Sequence, residues 1–216
     1  MEDKTSLFKI KSLNIQKTII KYLNSKNILK FVKYNLKLQN KLKVSLLNYD
    51  EYMKTYSEII IELIPAENTS GIFINIRKED INYIHIYFNN NRIEIKRNYI
   101  KPNEIIAKII IKLDYQFNNF KYLFYDCKCL KTITFIKFFR NNIFDMSYMF
   151  CKCINLHEIN FNNFNTDNVI NMSYMFYKCK NLANIDLNKF NNLSGINIEG
   201  MFNKCHKLET IKNVKF

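Results

Sequence analysis

A fixed 26-residue period constrains the fold of this chain more than any other feature. The phrase MSYMF occurs at 146–150 and again at 172–176. An uninterrupted period of this length is typical of stacked repeats, in which each unit buries its apolar face against the next. The sequence therefore predicts a shared core with the same residue types at each level. The recurring positions, called the repeat ladder, are Phe124, Phe150, Phe176, Phe202, Cys127, Cys153, Cys179, Cys205, Leu130, Leu156, Leu182, Leu208, Ile133, Ile159, Ile185 and Ile211.

Each unit combines two patterns. In the stretch CINLHEINFNNF, Ile159 and Phe161 alternate with polar residues, which predicts a short strand. In the stretch that follows, Val169, Met172 and Phe176 are spaced by three and four residues. That spacing favours a short helical or 3-10 segment with one apolar face.

The phrase NVINMSYMFYKCKNLANIDLNKFN resembles the repeats of BspA-like leucine-rich-repeat surface proteins, including the Mycoplasma lipoprotein type. The resemblance covers about residues 123–216 and rests on the Met-Ser-x-Met-Phe, Cys, Leu and Phe anchors. It implies a leucine-rich-repeat solenoid of about four units that serves as a protein–protein interaction surface. In bacteria, such proteins often work in adhesion.

The candidate binding residues are the variable positions on either side of the buried strand residues. In a leucine-rich-repeat stack they would line one face, with neighbouring strands about 5 Å apart. The face is mixed in charge and selects no obvious anion or nucleic acid. The positions are Lys131, Thr132, Thr134, His157, Glu158, Asn160, Ala183, Asn184, Asp186, Glu209, Thr210 and Lys212.

Residues 56–118 change to a period of two. Ile72, Ile74 and Ile76 alternate with other residues, and similar stretches follow along the segment, which predicts about five strands. The Asn-rich stretch at 89–92 predicts a hairpin turn, because Asn tolerates a positive φ. The resulting antiparallel sheet either stands alone or covers the open edge of the first repeat.

Residues 1–55 carry apolar residues at helical spacing and predict two or three short helices. Two interpretations remain open for them. They form an N-terminal cap, or residues 13–47 form an F-box-like motif, whose spacing of apolar residues they resemble. The second interpretation implies a substrate adaptor of a ubiquitin ligase.

Composition narrows the function. The net charge of +14 is spread along the chain and forms no basic block, so nucleic acid is not expected as a partner. No secretory signal and no apolar stretch of membrane-spanning length is recognisable, which favours a cytoplasmic location. The three His have no partners at catalytic spacing, and most of the six Cys occupy one ladder position. We expect no cofactor, no metal and no catalytic site.

Together these patterns predict an α+β protein. A helical N-terminus (1–55) leads to a small β-rich domain (56–118) and a leucine-rich-repeat solenoid (119–216). The predicted function is a non-enzymatic protein–protein interaction module that uses the outward face of the repeats. The alternatives are the F-box-like adaptor and a cell-surface adhesin.

Overall fold

A computed structural model describes residues 54–190 and 193–214 of the chain. Apart from Lys54, these residues belong to the unit that spans Thr55–Phe216. Within them, residues 54–56 are helical and a 3-10 helix spans Lys78–Tyr83. The strands of the described residues are β1 (Ile59–Pro65), β2 (Gly71–Ile72), β3 (Ile84–Phe88), β4 (Tyr99–Ile100), β5 (Ile109–Leu113), β6 (Leu130–Lys137), β7 (Glu158–Asn160), β8 (Asn184–Asp186) and β9 (Thr210–Lys212).

The main sheet has five strands in the order β3-β5-β1-β6-β7. Its first three pairings are antiparallel, and β6 and β7 pair in parallel. Strand β1 lies at its centre, where Ile61 is fully buried between Ile111 on one side and Phe135 on the other. Alternating Ile and Leu residues on β1 and β5 bury one face, as a period of two requires. Covering the first repeat in this way protects the edge of β6 from pairing with another chain.

Strand β6 contains a β-bulge where it pairs with β1. It pairs with β1 through a register shift between Ile64 and Pro65. Leu130 and Ile133 are both fully buried although they are an odd number of residues apart. An extra residue in a strand reverses the side chains that follow, so this bulge allows both to face the core.

The β-rich segment is less regular than its sequence pattern. Strands β2 and β4 have two residues each and form a separate antiparallel pair. Phe73 and Ile74, which are neighbours, are both fully buried, so the alternation predicted for this stretch does not continue. Asn89 and Asn90 both adopt a positive φ, and the amide of Asn91 donates to the carbonyl of Phe88 at 2.8 Å. The predicted turn is therefore present.

Successive repeats are joined at their turns. The Phe150 amide donates to the Met175 carbonyl at 2.9 Å, and the Phe124 and Phe176 amides make the equivalent bonds one unit away. The rings of Phe124, Phe150, Phe176 and Phe202 stack with centroids 5.3–5.6 Å apart and planes within 9° of parallel. This aromatic column forms part of the core of the repeat segment, together with the buried Cys, Leu, Ile and Met residues.

The predicted short helix in each unit is absent from the described repeats. Asn171 instead closes an Asx-turn, in which its Oδ1 accepts from the Ser173 amide at 3.0 Å. The residues that follow form turns, and Tyr174 and Lys178 adopt positive φ values of 55° and 61°. A side chain that bonds the local backbone competes with helix formation, and left-handed residues interrupt a helix. A series of turns, and not a helix, therefore places the apolar residues that are spaced by three and four positions.

The predicted α+β class with a leucine-rich-repeat solenoid is wrong. The regular secondary structure of the described residues is mainly strand, with little helix, and turns connect the strands. The repeats do not share one continuous sheet, because β6 and β7 belong to the five-stranded sheet while β8 and β9 form a separate parallel pair. The predicted N-terminal helices and the F-box-like motif at 13–47 lie outside the described residues.

Candidate functional site

The predicted binding residues lie along the outward sides of the repeat strands and are called the strand row. Thr132 is paired with Glu158, and Asp186 with Lys212. All the residues of the row are partly or fully exposed. The structure brings together the six on and beside β6 and β7, and separately the six on and beside β8 and β9.

The strand row carries little net charge. Its two Lys and three acidic residues give 2 − 3 = −1 with His157 neutral. Asp186 is held in place, since its Oδ1 accepts from the Asn213 side chain at 2.7 Å and from the Asn188 amide at 2.9 Å. These bonds stabilise the charged carboxylate and lower the pKa of Asp186, and the bond from Asn213 contributes most.

A cleft of about 740 Å³ opens beside the start of the row, with Lys131 among its lining residues. Two loops form most of its wall, at 64–70 and 100–107. The apolar part of the lining includes Ile64, which is 38% exposed, and Ile105, which is 92% exposed. The lining therefore combines apolar side chains with polar ones, as ligand-binding clefts do.

Both loops of the cleft are held by side-chain bonds. Thr69 donates from its hydroxyl to the Ala66 carbonyl at 2.6 Å. Arg97 and Glu104 form a two-bond ion pair, and the Lys101 amide donates to the same carboxylate at 3.0 Å. The pKa of Glu104 is lowered mainly by the Arg97 guanidinium and also by the Lys101 amide. The cleft is therefore shaped in advance of any ligand.

Turns line another part of the repeat surface, and we call it the turn side (121–128, 147–154, 173–180 and 199–206). Its main feature is a column of Tyr122, Tyr148 and Tyr174, whose ring centroids are 5.0 and 5.1 Å apart. All three have positive φ. The next position of the period is Gly200, where a Cβ would come within 2.5 Å of the Tyr174 ring.

The ladder cysteines are structural. The thiols of Cys153, Cys179 and Cys205 donate to Phe carbonyls of the preceding unit at 2.9, 3.1 and 3.0 Å. Burial raises the pKa of Cys153 and Cys179 and raises that of Cys151 to about 11. The reactive thiolate is therefore scarce at neutral pH. No group of three or more His, Cys, Asp or Glu in the described part of the chain is arranged to hold a metal.

Arg140 is a fully buried cation near the junction of the sheet and the repeats. One of its terminal nitrogens donates to the carbonyls of Asp114 and Tyr115 at 3.2 and 2.7 Å. Burial lowers the pKa of its guanidinium to about 10, so it remains charged at neutral pH. Its role is to fasten the segment after β5 to the segment after β6.

Sequence reasoning found the strand row but missed the cleft and the tyrosine column. Ile105 and Ile106 fall within the segment 56–118, for which the sequence predicts strands, whereas in the structure they precede β5 and line the cleft. The tyrosine column had a signal in the sequence, because Tyr148 and Tyr174 are the central residues of the two MSYMF phrases. The positive φ that turns this residue outward is not visible in the sequence.

Comparison with known proteins adds one match. The profile of a family described as "Mycoplasma protein of unknown function, DUF285" matches residues 118–215, a little under half of the chain. No curated protein and no solved structure matches. The match covers the repeats and agrees with the Mycoplasma part of the sequence resemblance. Among the described residues, none of the helices has the length and apolar character needed to cross a membrane.

Proposed function

We propose that the chain is a non-enzymatic protein-binding module that uses the strand row together with the adjoining cleft. The observation that carries this proposal is the position of Lys131, which begins the row and also lines the cleft. A partner that follows the outward residues of β6 and β7 reaches a concavity large enough for its side chains.

The chemistry of the two parts supports a polypeptide partner. The row offers Thr, Asn and mixed charged side chains on fixed strands, which suits polar contacts at the rim of an interface. The cleft offers Ile64, Ile105 and Ile106, which suit an apolar anchor. We infer a partner segment that places an apolar side chain in the cleft and polar residues along the row.

The BspA-like resemblance, whose Mycoplasma part the family match supports, adds the expectation that such repeats bind proteins at a surface. Adhesion and the F-box-like adaptor remain alternatives. No observation on the described residues favours either of them over a general binding module.

Affinity capture with point variants of the full chain tests the proposal. The immobilised protein is exposed to lysate of the source cells, and captured proteins are quantified by mass spectrometry. We expect Ile105→Asp and Glu158→Lys each to reduce capture of the same proteins at least tenfold. The first places a charge in the apolar cleft, and the second reverses a charge on the strand row. The matched control is Ile170→Asp, which changes an Ile that is 65% exposed outside the row and the cleft. Capture that survives the first two variants, or falls equally in the control, would contradict the proposal.

A further inference from the structure

Lysine residues recur on the turn side at the same step as the tyrosines. Lys152, Lys178 and Lys204 have φ values of 64°, 61° and 63°, and the fourth equivalent position is Asp126. Their backbones are held in place, since the Lys152 and Lys178 amides donate to the Tyr177 and Asn203 carbonyls at 2.7 and 3.0 Å. The three Lys therefore form a row, with one step for each repeat.

The backbone conformation gives no reason for Lys at these positions. A left-handed φ is costly for a residue with a long side chain and is tolerated far better by Gly and Asn. The chain uses Asn at such sites elsewhere, for example at Asn68, Asn89 and Asn103. Lys at three successive left-handed positions indicates that the side chain itself is needed.

Contacts within the protein account for only part of that need. The Lys152 ammonium donates to the Tyr125 hydroxyl at 2.5 Å, and those of Lys178 and Lys204 lie 5.2 and 5.6 Å from the centre of the Tyr177 ring. Lys204, most strongly, and Lys178 also interact with the Tyr177 hydroxyl and lower its pKa. Such contacts at exposed sites are individually weak. No described carboxylate lies within ion-pair distance of the three ammonium groups.

The turn side is also positively charged as a whole. Its four segments contain six Lys and two acidic residues, so the balance is 6 − 2 = +4, against −1 for the strand row. The two acidic residues are already engaged. Asp126 pairs with Lys128 at 3.2 Å, and Glu199 accepts from the Tyr174 hydroxyl at 2.5 Å. The positive potential is therefore available to an external anion.

We propose that the row of Lys152, Lys178 and Lys204 binds an extended, Asp- and Glu-rich segment of a partner protein. Steps of about 5 Å give a row of about 10 Å, which three to four residues of an extended chain span. The hydroxyls of Tyr122 and Tyr148 lie on the same turns and can donate to carboxylates, whereas that of Tyr174 already donates to Glu199. A nucleic-acid strand is less suitable, because base recognition of this type needs free ring faces, and the faces of Tyr148 are covered by Tyr122 and Tyr174.

The test measures binding of a fluorescein-labelled peptide of alternating Glu and Ser to the full chain by fluorescence anisotropy, at about 0.05 and 0.15 M salt. We expect the triple variant Lys152→Glu/Lys178→Glu/Lys204→Glu to weaken binding at least tenfold. The control Lys78→Glu/Lys96→Glu/Lys189→Glu makes the same change in net charge at exposed positions elsewhere and should alter binding less than twofold. Equal loss in both would show that only the overall charge matters and would overturn the proposal.

Further controls test whether the loss of binding comes from the loss of charge, from misfolding or from the choice of peptide. The triple Lys→Arg variant should keep binding within about threefold, because it retains the charge, and circular dichroism should show the fold of each variant to be intact. Unaltered peptide binding by a folded triple Lys→Glu variant would overturn the proposal. So would equal binding of a peptide with Gln in place of Glu, or tighter binding of an oligothymidylate of the same charge.

Discussion

The strand row and the turn side repeat with the same period but use it differently. On the strand row, backbone pairing sets the position of each residue, as in the pair Thr134 and Asn160. The side chains differ from unit to unit, and one of them, Asp186, accepts a hydrogen bond from the Asn213 side chain of the next unit at 2.7 Å. On the turn side, the rings of Tyr122, Tyr148 and Tyr174 stack on one another and the residue type recurs. Variation along the strand row allows a partner to be selected there, whereas the recurring tyrosine rings of the turn side stack and help to build the repeat segment.

The largest loss of stability is expected from a substitution in the buried aromatic column. Phe150 is fully buried in the aromatic column, and replacing it with Ala should lower the free energy of unfolding by about 3–5 kcal/mol. Urea denaturation measures this. The matched Phe139→Ala change removes a ring that is 40% exposed and should cost much less. Similar losses for both variants would show that the column is not part of the core.

A smaller effect is expected from Gly200→Ala on the turn side. The new Cβ would meet the Tyr174 ring at 2.5 Å and the residue would keep a φ of +60°, so we expect a loss of roughly 1–2 kcal/mol. Gly195→Ala separates the two causes, because Gly195 has a φ of +82° and open space around its Cβ position. If the two variants are equally stable by thermal denaturation, the close approach to Tyr174 contributes nothing.

The Asx-turn that replaces the predicted helix can be tested at Asn171. Asn171→Ala removes the acceptor for the Ser173 amide and should cost about 1 kcal/mol, since one backbone donor loses its partner. Asn171→Asp should cost less, because Asp145 makes the same bond to Ser147 one unit earlier, at 2.8 Å. Equal losses in urea denaturation would contradict this role for the side-chain oxygen.

The smallest effect is expected on the strand row itself. Glu158→Lys changes an exposed side chain on β7, and the free energy of unfolding should change by no more than about 0.5 kcal/mol. A loss above roughly 1 kcal/mol by the same denaturation would remove the distinction between the two sides. The variant would then also be unsuitable for testing partner binding.

Sequence reasoning was most successful where one residue type decides the structure. The ladder positions Phe150, Cys153 and Leu156 were expected to be core and are fully buried, whereas the ladder residue Ile211 in the last repeat is 40% exposed. The short helical or 3-10 segment predicted in each repeat was wrong, because the apolar spacing of Met172, Met175 and Phe176 suits a helix and a series of turns equally well. The choice depends on the Asn171 side chain and on left-handed residues, whose effect on the backbone the spacing does not reveal.

The cleft could not be predicted because it depends on tertiary arrangement. Ile105 and Lys131 are far apart in the sequence, and only the folded chain places both at one concavity. The pairing of β1 with β6 is a similar case, in which the open choice between an independent sheet and a cover for the first repeat is decided by backbone hydrogen bonds. The residue pattern within a segment predicts that it forms a strand, but it does not predict which other strands it pairs with.

The most direct test of the binding proposal is photo-cross-linking from the two sides of the same full-length protein. A benzophenone amino acid is placed at Ile105 in the cleft, at Glu158 on the strand row or at Tyr148 on the turn side, and cross-linked proteins from source cells are identified by mass spectrometry. We expect positions 105 and 158 to capture one common protein through the same segment of that protein, and position 148 not to capture that segment. Capture of different proteins at positions 105 and 158, or of none at either, would contradict the binding proposal.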